Sequence, residues 1–172
     1  TPRVPGEDTQ LPFTMQIGSG TYDLTPGIAY AGKNDQMSWG GQARGVIRLN
    51  ENNRDYSLGN RLLLSGWLRA KSFTWLEPSI TLTLQSWGRI SGEDEDLKID
   101  TLPVSPFPAP VTDPKKFGGR KLNALFGATF RLPKWFKGHT INVEAGLPIY
   151  QSLNGPQPKE VWRFGAGWAW EF

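Results

Sequence analysis

Apolar and polar positions alternate along much of this chain, and the pattern is clearest at its end. From Glu160 to Phe172, Trp162, Phe164, Ala166, Trp168, Trp170 and Phe172 fall on one face, with Val161, Arg163, Gly165, Gly167, Ala169 and Glu171 on the other. A period of two marks an extended strand, whose successive side chains leave opposite faces. Large aromatics against small or charged residues fit a sheet with hydrocarbon on one side and water on the other, as in a transmembrane β-barrel. The edge of a soluble sandwich can alternate in the same way.

Six further segments of roughly ten to thirteen residues repeat the pattern, giving about seven predicted strands. Tyr22 to Gly32 places Leu24, Pro26, Ile28 and Tyr30 opposite Asp23, Thr25, Gly27, Ala29 and Ala31. Met37 to Leu49 sets Met37, Trp39, Ala43, Ile47 and Leu49 against Ser38, Gln42, Arg44 and Arg48. In Arg61 to Ser72 the outward set is Leu62, Leu64, Leu68 and Ala70, and Arg61, Ser65, Trp67, Arg69 and Lys71 point inward. Ser79 to Ser91 opposes Ile80, Leu82, Leu84 and Ile90 to Thr81, Thr83, Gln85, Trp87 and Arg89. Lys121 to Pro133 turns Leu122, Phe126, Phe130 and Leu132 outward and Asn123, Thr129 and Arg131 inward. Thr140 to Leu153 turns Ile141, Val143, Leu147 and Ile149 outward, and Asn142, Glu144 and Tyr150 inward.

The connections alternate in length, as in outer-membrane barrels with short periplasmic turns and longer external loops. Lys33 to Gln36, Phe73 to Pro78 and Lys134 to His139 are short, whereas of the external connections Asn50 to Asn60, Gly92 to Arg120 and Asn154 to Lys159 the first two are long. With Phe172 at the periplasmic end, residues 1–20 form an external loop segment and residues 21–172 the barrel strands, with a long external loop over 92–120. Trp75, Trp135 and Phe136 then lie where an interfacial aromatic girdle belongs.

Composition supports strands over helices. The 172 residues contain Gly 20, Pro 14 and Trp 8, with aromatics at 12% and no Cys. No continuous apolar run reaches the ~18–20 residues of a membrane helix, but barrel strands are apolar only at alternate positions, so a modest hydrophobic content of 38% is compatible with them. The formal charge of +3 is too mild to imply a nucleic-acid partner. TPRVPGEDTQLPF has neither the basic nor the apolar region of a signal peptide.

The run LPFTMQIGSGTYDLTPGIAYAG, from Leu11 to Gly32, resembles the second half of bacterial outer-membrane proteins grouped with the MetA-pathway phenol-degradation proteins, distant relatives of the FadL-type channels for hydrophobic substrates. SWGGQARGVIRL (Ser38 to Leu49), LQSWGRISG (Leu84 to Gly92), EAGLPIYQSLNGPQ (Glu144 to Gln157) and the aromatic terminus carry the same likeness in order and spacing. The resemblance implies an all-β, antiparallel transmembrane barrel in a Gram-negative outer membrane, of which this chain is the carboxy-terminal portion. An odd strand set does not close in simple antiparallel fashion, so the expected whole is a larger barrel of about twelve strands. The missing strands would come from an upstream segment or another chain. Trp168, Trp170 and Phe172 match the terminal signal that barrel-assembly machinery reads in similar proteins. Outer-membrane lipid and lipopolysaccharide are the further expected partners, and transport or scaffolding the expected roles.

The inward positions are candidates for a lumen. Arg44, Arg48, Arg61, Arg69, Lys71, Arg89, Arg131 and Arg163, against Asp23, Glu144 and Glu171, would bias a pore toward anions; alternatively they pair with carboxylates across strands and stiffen the interior. Trp67, Trp87 and Tyr150 offer apolar area with a polar handle for an aromatic or amphipathic solute, or else plain packing. Glu93, Asp94, Glu95, Asp96 and Asp100 carry oxygen ligands without an EF-hand's spacing, and read best as a solvated loop. Lys115, Lys116, Arg120 and Lys121 could meet lipopolysaccharide phosphates. A single His, His139, in a short turn and the lack of nucleotide or metal-ligand motifs leave no catalytic residue, cofactor or metal to expect.

Overall fold

The computed structural model describes residues 11–98, 106–132, 134–136 and 138–170. The expectations for residues 1–10, Asp100, Glu171 and Phe172 lie outside them. The chain is all-β and antiparallel, a meander whose neighbours in sequence are neighbours in the sheet. The strands are β1 (Asp23–Leu24), β2 (Gly27–Lys33), β3 (Met37–Arg48), β4 (Tyr56–Ser57), β5 (Arg61–Ala70), β6 (Leu76–Trp87), β7 (Ser91–Gly92), β8 (Gly119–Arg131), β9 (His139–Leu153) and β10 (Arg163–Trp170).

The main sheet runs from β1 and β2 through β3, β5, β6, β8 and β9 to β10. β1 and β2 share one register on β3, with Asp23 opposite Arg48 and Gly27 opposite Arg44. They are therefore one strand, interrupted at Thr25 and Pro26, and the carbonyl of Pro26 still accepts a bond from the Gly45 N–H at 2.8 Å. Counted so, the sheet's eight strands are seven. Among the described residues neither the outer edge of β1 and β2 nor that of β10 has a strand beside it, so the ring is not closed.

The strands are offset in one sense. The ladder row that begins at Gly32, near the end of β2, passes Trp39, Leu68, Ile80, Phe126 and Ala145 and finishes at Phe164, near the start of β10. A row that crosses from one end of the strands to the other is a steady stagger, compatible with the tilted strands of a barrel fragment.

The short connections close as their residues dictate. Asn34 Oδ1 accepts from the Gln36 and Met37 N–H groups at 2.9 and 2.7 Å, an Asx turn that reverses the chain between β2 and β3. Pro78 sits within β6, although a strand beginning after it was expected. The β5 ladder reaches only Ser79, so at Pro78 the strand is locally an edge, where a missing N–H is tolerated.

The two faces of the sheet differ as the alternation predicts. Ile28 is 74% exposed, Phe126 67% and Trp168 65%, and Leu62, Leu82 and Leu147 share their face. On the opposite face Asn123 is buried to 1% and Thr83, Leu125 and Thr129 are buried as well. The buried apolar cluster lies outside the strand belt altogether. Phe13, Tyr56, Ile90 and Leu97 pack with Leu58 and Phe117 at the long-loop end, where the Phe13 ring meets Tyr56 edge-on at 4.8 Å.

That loop end is folded. β4 pairs with β7, an element the sequence reading did not anticipate. Gly92 enables it, since a Cβ there would meet the Asp55 carbonyl oxygen at 2.0 Å and φ is +78°. Ile90 and Arg89 were expected on the fourth strand, but β6 ends at Trp87. Ile90 instead fills the loop core and Arg89 is exposed beyond the strand.

The acidic run, expected as a solvated loop, is also tied down. Asp94 is 1% exposed, caps a short 3₁₀ turn through the Asp96 N–H, and lies 3.5 Å from Arg54, which also pairs with Asp96. Lys98 bridges Glu93 and Glu95 at 2.7 Å each. These hydrogen bonds push the Lys98 ammonium well above its ordinary range and hold the Glu93 carboxyl below its own. With Arg54 and Lys98 engaging all four of these carboxylates, the loop has less negative charge left for an outside cation.

Candidate functional site

Cross-strand register determines what the concave inner face presents. Toward the short turns, Trp67 stands opposite Thr81, Arg69 opposite Ser79 and Glu77 opposite Thr129. Toward the long loops, Arg44 stands opposite Leu63, Leu63 opposite Gln85, and Arg61 opposite Trp87. Two concavities follow, one of about 530 Å³ bounded by Trp67, Thr81, Glu144 and Arg163, the other of about 500 Å³ bounded by Arg44, Arg61, Trp87 and Lys121.

Most of the predicted lumen residues do line this face. Arg44, Arg48, Arg69, Arg131, Arg163, Glu144, Trp67 and Trp87 all occupy inward register positions, and they divide into paired and unpaired groups. Arg48 pairs with Asp23 on the neighbouring strand. Arg131 donates to Glu77 at 2.6 Å, and Arg69 stands 3.8 Å from the same carboxylate. Arg69 also lies over the Trp67 ring, 6.0 Å from its centroid. Arg44 and Arg61 have no carboxylate partner among the described residues.

Tyr150 is a correction. β9 carries one extra residue near Ile149, so the register shifts between Leu122 and Asn123 and Tyr150 comes to stand opposite the outward Leu122. Strict alternation puts it inside; a β-bulge reverses the phase from that point on. Close by, Gly146 admits the β8 backbone, because a Cβ there would lie 2.1 Å from the Ala124 carbonyl oxygen. Trp168 and Trp170 lie on the outer face as expected, both stacked against His139, with the Trp168 indole donating to His139 Nδ1 at 3.1 Å. His139 is the first residue of β9 and serves this aromatic cluster.

Sequence reasoning missed two acidic hubs. Glu77 is buried to 5%, in a segment that was taken for a turn. Glu160 belongs to the β9–β10 connection and reaches back onto the inner face. It accepts from Lys121 at 2.5 Å, from Asn123 at 3.2 Å and from Arg163 through both oxygens at 3.0 and 3.1 Å. Gln151 clamps its backbone, donating to the carbonyl at 2.7 Å and accepting from the N–H at 3.0 Å. Burial alone would push the Glu160 carboxyl up; hydrogen bonds and charge from Lys121 and Arg163 outweigh it and hold the group below its ordinary value. Lys121, proposed from sequence to meet outside phosphates, is thus turned inward.

The inner face presents guanidinium groups and indole rings to its two concavities. Among the described residues no group of three or more His, Asp or Glu could hold a metal. No protein-family model, no curated protein and no solved structure matches the chain.

Proposed function

We propose that the chain forms part of a β-barrel in the Gram-negative outer membrane and that the assembled barrel passes small anionic or aromatic solutes by passive diffusion. The observation that carries the reading is the division of one staggered sheet into an apolar outer face and a polar, cation-rich concave face. A sandwich would bury its apolar side chains against a second sheet; here they remain exposed and the buried apolar cluster sits in the loops. An exposed apolar area of this extent calls for a lipid or protein cover. Rows of aromatics at the short-turn end, with Phe73, Trp75 and Phe130 stacked at 6.1 and 6.3 Å, fit a membrane interface.

The resemblance to the MetA-pathway phenol-degradation group suggests the same assignment, with further strands from an upstream segment or another chain. Lipopolysaccharide and the barrel-assembly machinery are the corresponding partners. The role is binding and passage, with no covalent chemistry. The test is reconstitution of the assembled protein into vesicles and planar bilayers: solute flux with stepwise conductance is expected, and a protein that inserts but passes neither ions nor benzoate overturns the channel.

A second reading is favoured by the Glu160 network. Contacts joining Lys121, Asn123, Gln151 and Arg163 across three elements could plug the lumen, leaving a scaffold that anchors partners in the membrane. Inserted protein without conductance, in which Glu160→Ala opens a current, would establish it.

A further inference from the structure

The loop-side half of the inner face carries a cluster that the fold does not use. Arg44 and Arg61 are diagonal neighbours across the β3–β5 pair, since Arg44 faces Leu63 and Arg61 faces Val46. Such diagonal positions lie ~7–8 Å apart, within reach of long side chains converging on one ligand. Both arginines are exposed to the same concavity of about 500 Å³, a volume suited to a small organic molecule. Trp87 stands directly opposite Arg61, and Lys121 Nζ lies 5.9 Å from the Trp87 ring centroid. Leu63 adds apolar floor and Gln85 a neutral donor and acceptor.

Charge distinguishes this cluster from the rest of the inner face. Glu160 engages Lys121 and Arg163, and Glu77 engages Arg131 and Arg69. Arg44 and Arg61 form no ion pair among the described residues, yet they share a concavity with an indole. A guanidinium offers a planar fork that matches a carboxylate in two parallel bonds. An indole offers a flat apolar face for a ring. An oxyanion alone would leave Trp87 and Leu63 unused, and a neutral ring alone would leave both arginines hydrated.

We propose that Arg44, Arg61 and Trp87, with Lys121 at the rim, form a binding site for an aromatic carboxylate on the path through the barrel. The site rests on the channel reading for its place on a path, but not for its ability to bind. The carboxylate lies between the two guanidinium groups and the ring packs along Trp87 and Leu63. Lys121 remains bonded to Glu160 and contributes field rather than a direct bond.

The test is calorimetric titration of the assembled protein in detergent with benzoate, acetate and benzyl alcohol. Benzoate binding is expected to saturate, with acetate and benzyl alcohol each about tenfold weaker or more. Combining Arg44→Gln with Arg61→Gln is expected to weaken benzoate at least tenfold, while Arg44→Lys with Arg61→Lys, which keeps charge and loses the fork, falls between. Trp87→Ala should bring benzoate down to the level of acetate. Benzoate affinity unchanged in the double glutamine variant, acetate equal to benzoate, or no saturable heat in a folded protein would each overturn the site. The titration reads binding without flux: flux with no benzoate binding overturns the site alone, and benzoate binding with no flux leaves the site standing while the channel falls.

Discussion

Two parts of the inner face use the same residue types to opposite ends. Around Glu77 and Glu160, arginine and lysine side chains converge on buried or largely buried carboxylates and are spent within the fold. Near Trp87, Arg44 and Arg61 line open space and pair with no carboxylate among the described residues. The first arrangement holds strands and a connection together; the second leaves positive charge for something outside the protein. A count of inward arginines cannot separate these roles, because what decides is where the few acidic residues sit.

The largest effect that would break this contrast is expected for Glu77→Ala. It strands Arg131 and Arg69 beside a buried position and should cost about 2 kcal/mol, read as a lower urea midpoint for the protein folded in vesicles. An unchanged midpoint would mean that the pair is no firmer than a surface contact. Glu160→Gln keeps the shape and removes the charge, at a cost of about 1 kcal/mol near neutral pH. Because the folded carboxyl is held below its ordinary value, its contribution is complete above about pH 4.5 and drains away as pH falls through the lower folded value. The variant should therefore lose stability less steeply on the acid side, and an acid limb as steep as the parent's would count against the network.

A smaller effect sharpens the other half of the comparison. Arg44→Gln combined with Arg61→Gln should shift stability by no more than about 0.5 kcal/mol, and a marked loss in the same unfolding experiment would assign these arginines to the framework. Smallest of all, Tyr150→Phe should leave both stability and benzoate affinity unchanged, since the ring stands outside beside Leu122. Weaker benzoate binding in that variant would put the ring back inside.

Much of the sheet was legible because a pattern of period two with one apolar face admits few registers. The inward positions of Arg44, Trp67, Trp87 and Arg163 followed from counting alone. Counting failed where the chain departs from regular pleating. The extra residue near Ile149 moves Tyr150 across the sheet, and the signal for it in LPIYQS is Pro148, since proline inside a sheet is confined largely to edges and bulges. Glu160 was hidden for a related reason: continuing the alternation backward from Trp162 places it outside, whereas β10 begins only at Arg163 and the preceding connection follows its own path. Glu77 was screened by Pro78, which suggested that the strand begins afterwards. The loop core of Phe13, Tyr56, Ile90 and Leu97 joins residues far apart in sequence, and no local pattern encodes such a meeting.

The steady offset of the ladder rows makes this wall a segment of a screw rather than of a plain cylinder. Its two edges, unpaired among the described residues, stand at different heights, and both edge strands run from the long loops toward the short turns. If the proposed barrel closes with antiparallel neighbours throughout, the strands that complete it begin and end running the other way, which requires an odd number of them. A second copy in the same orientation brings the right pitch with the wrong polarity, and would leave two parallel seams in an otherwise antiparallel ring.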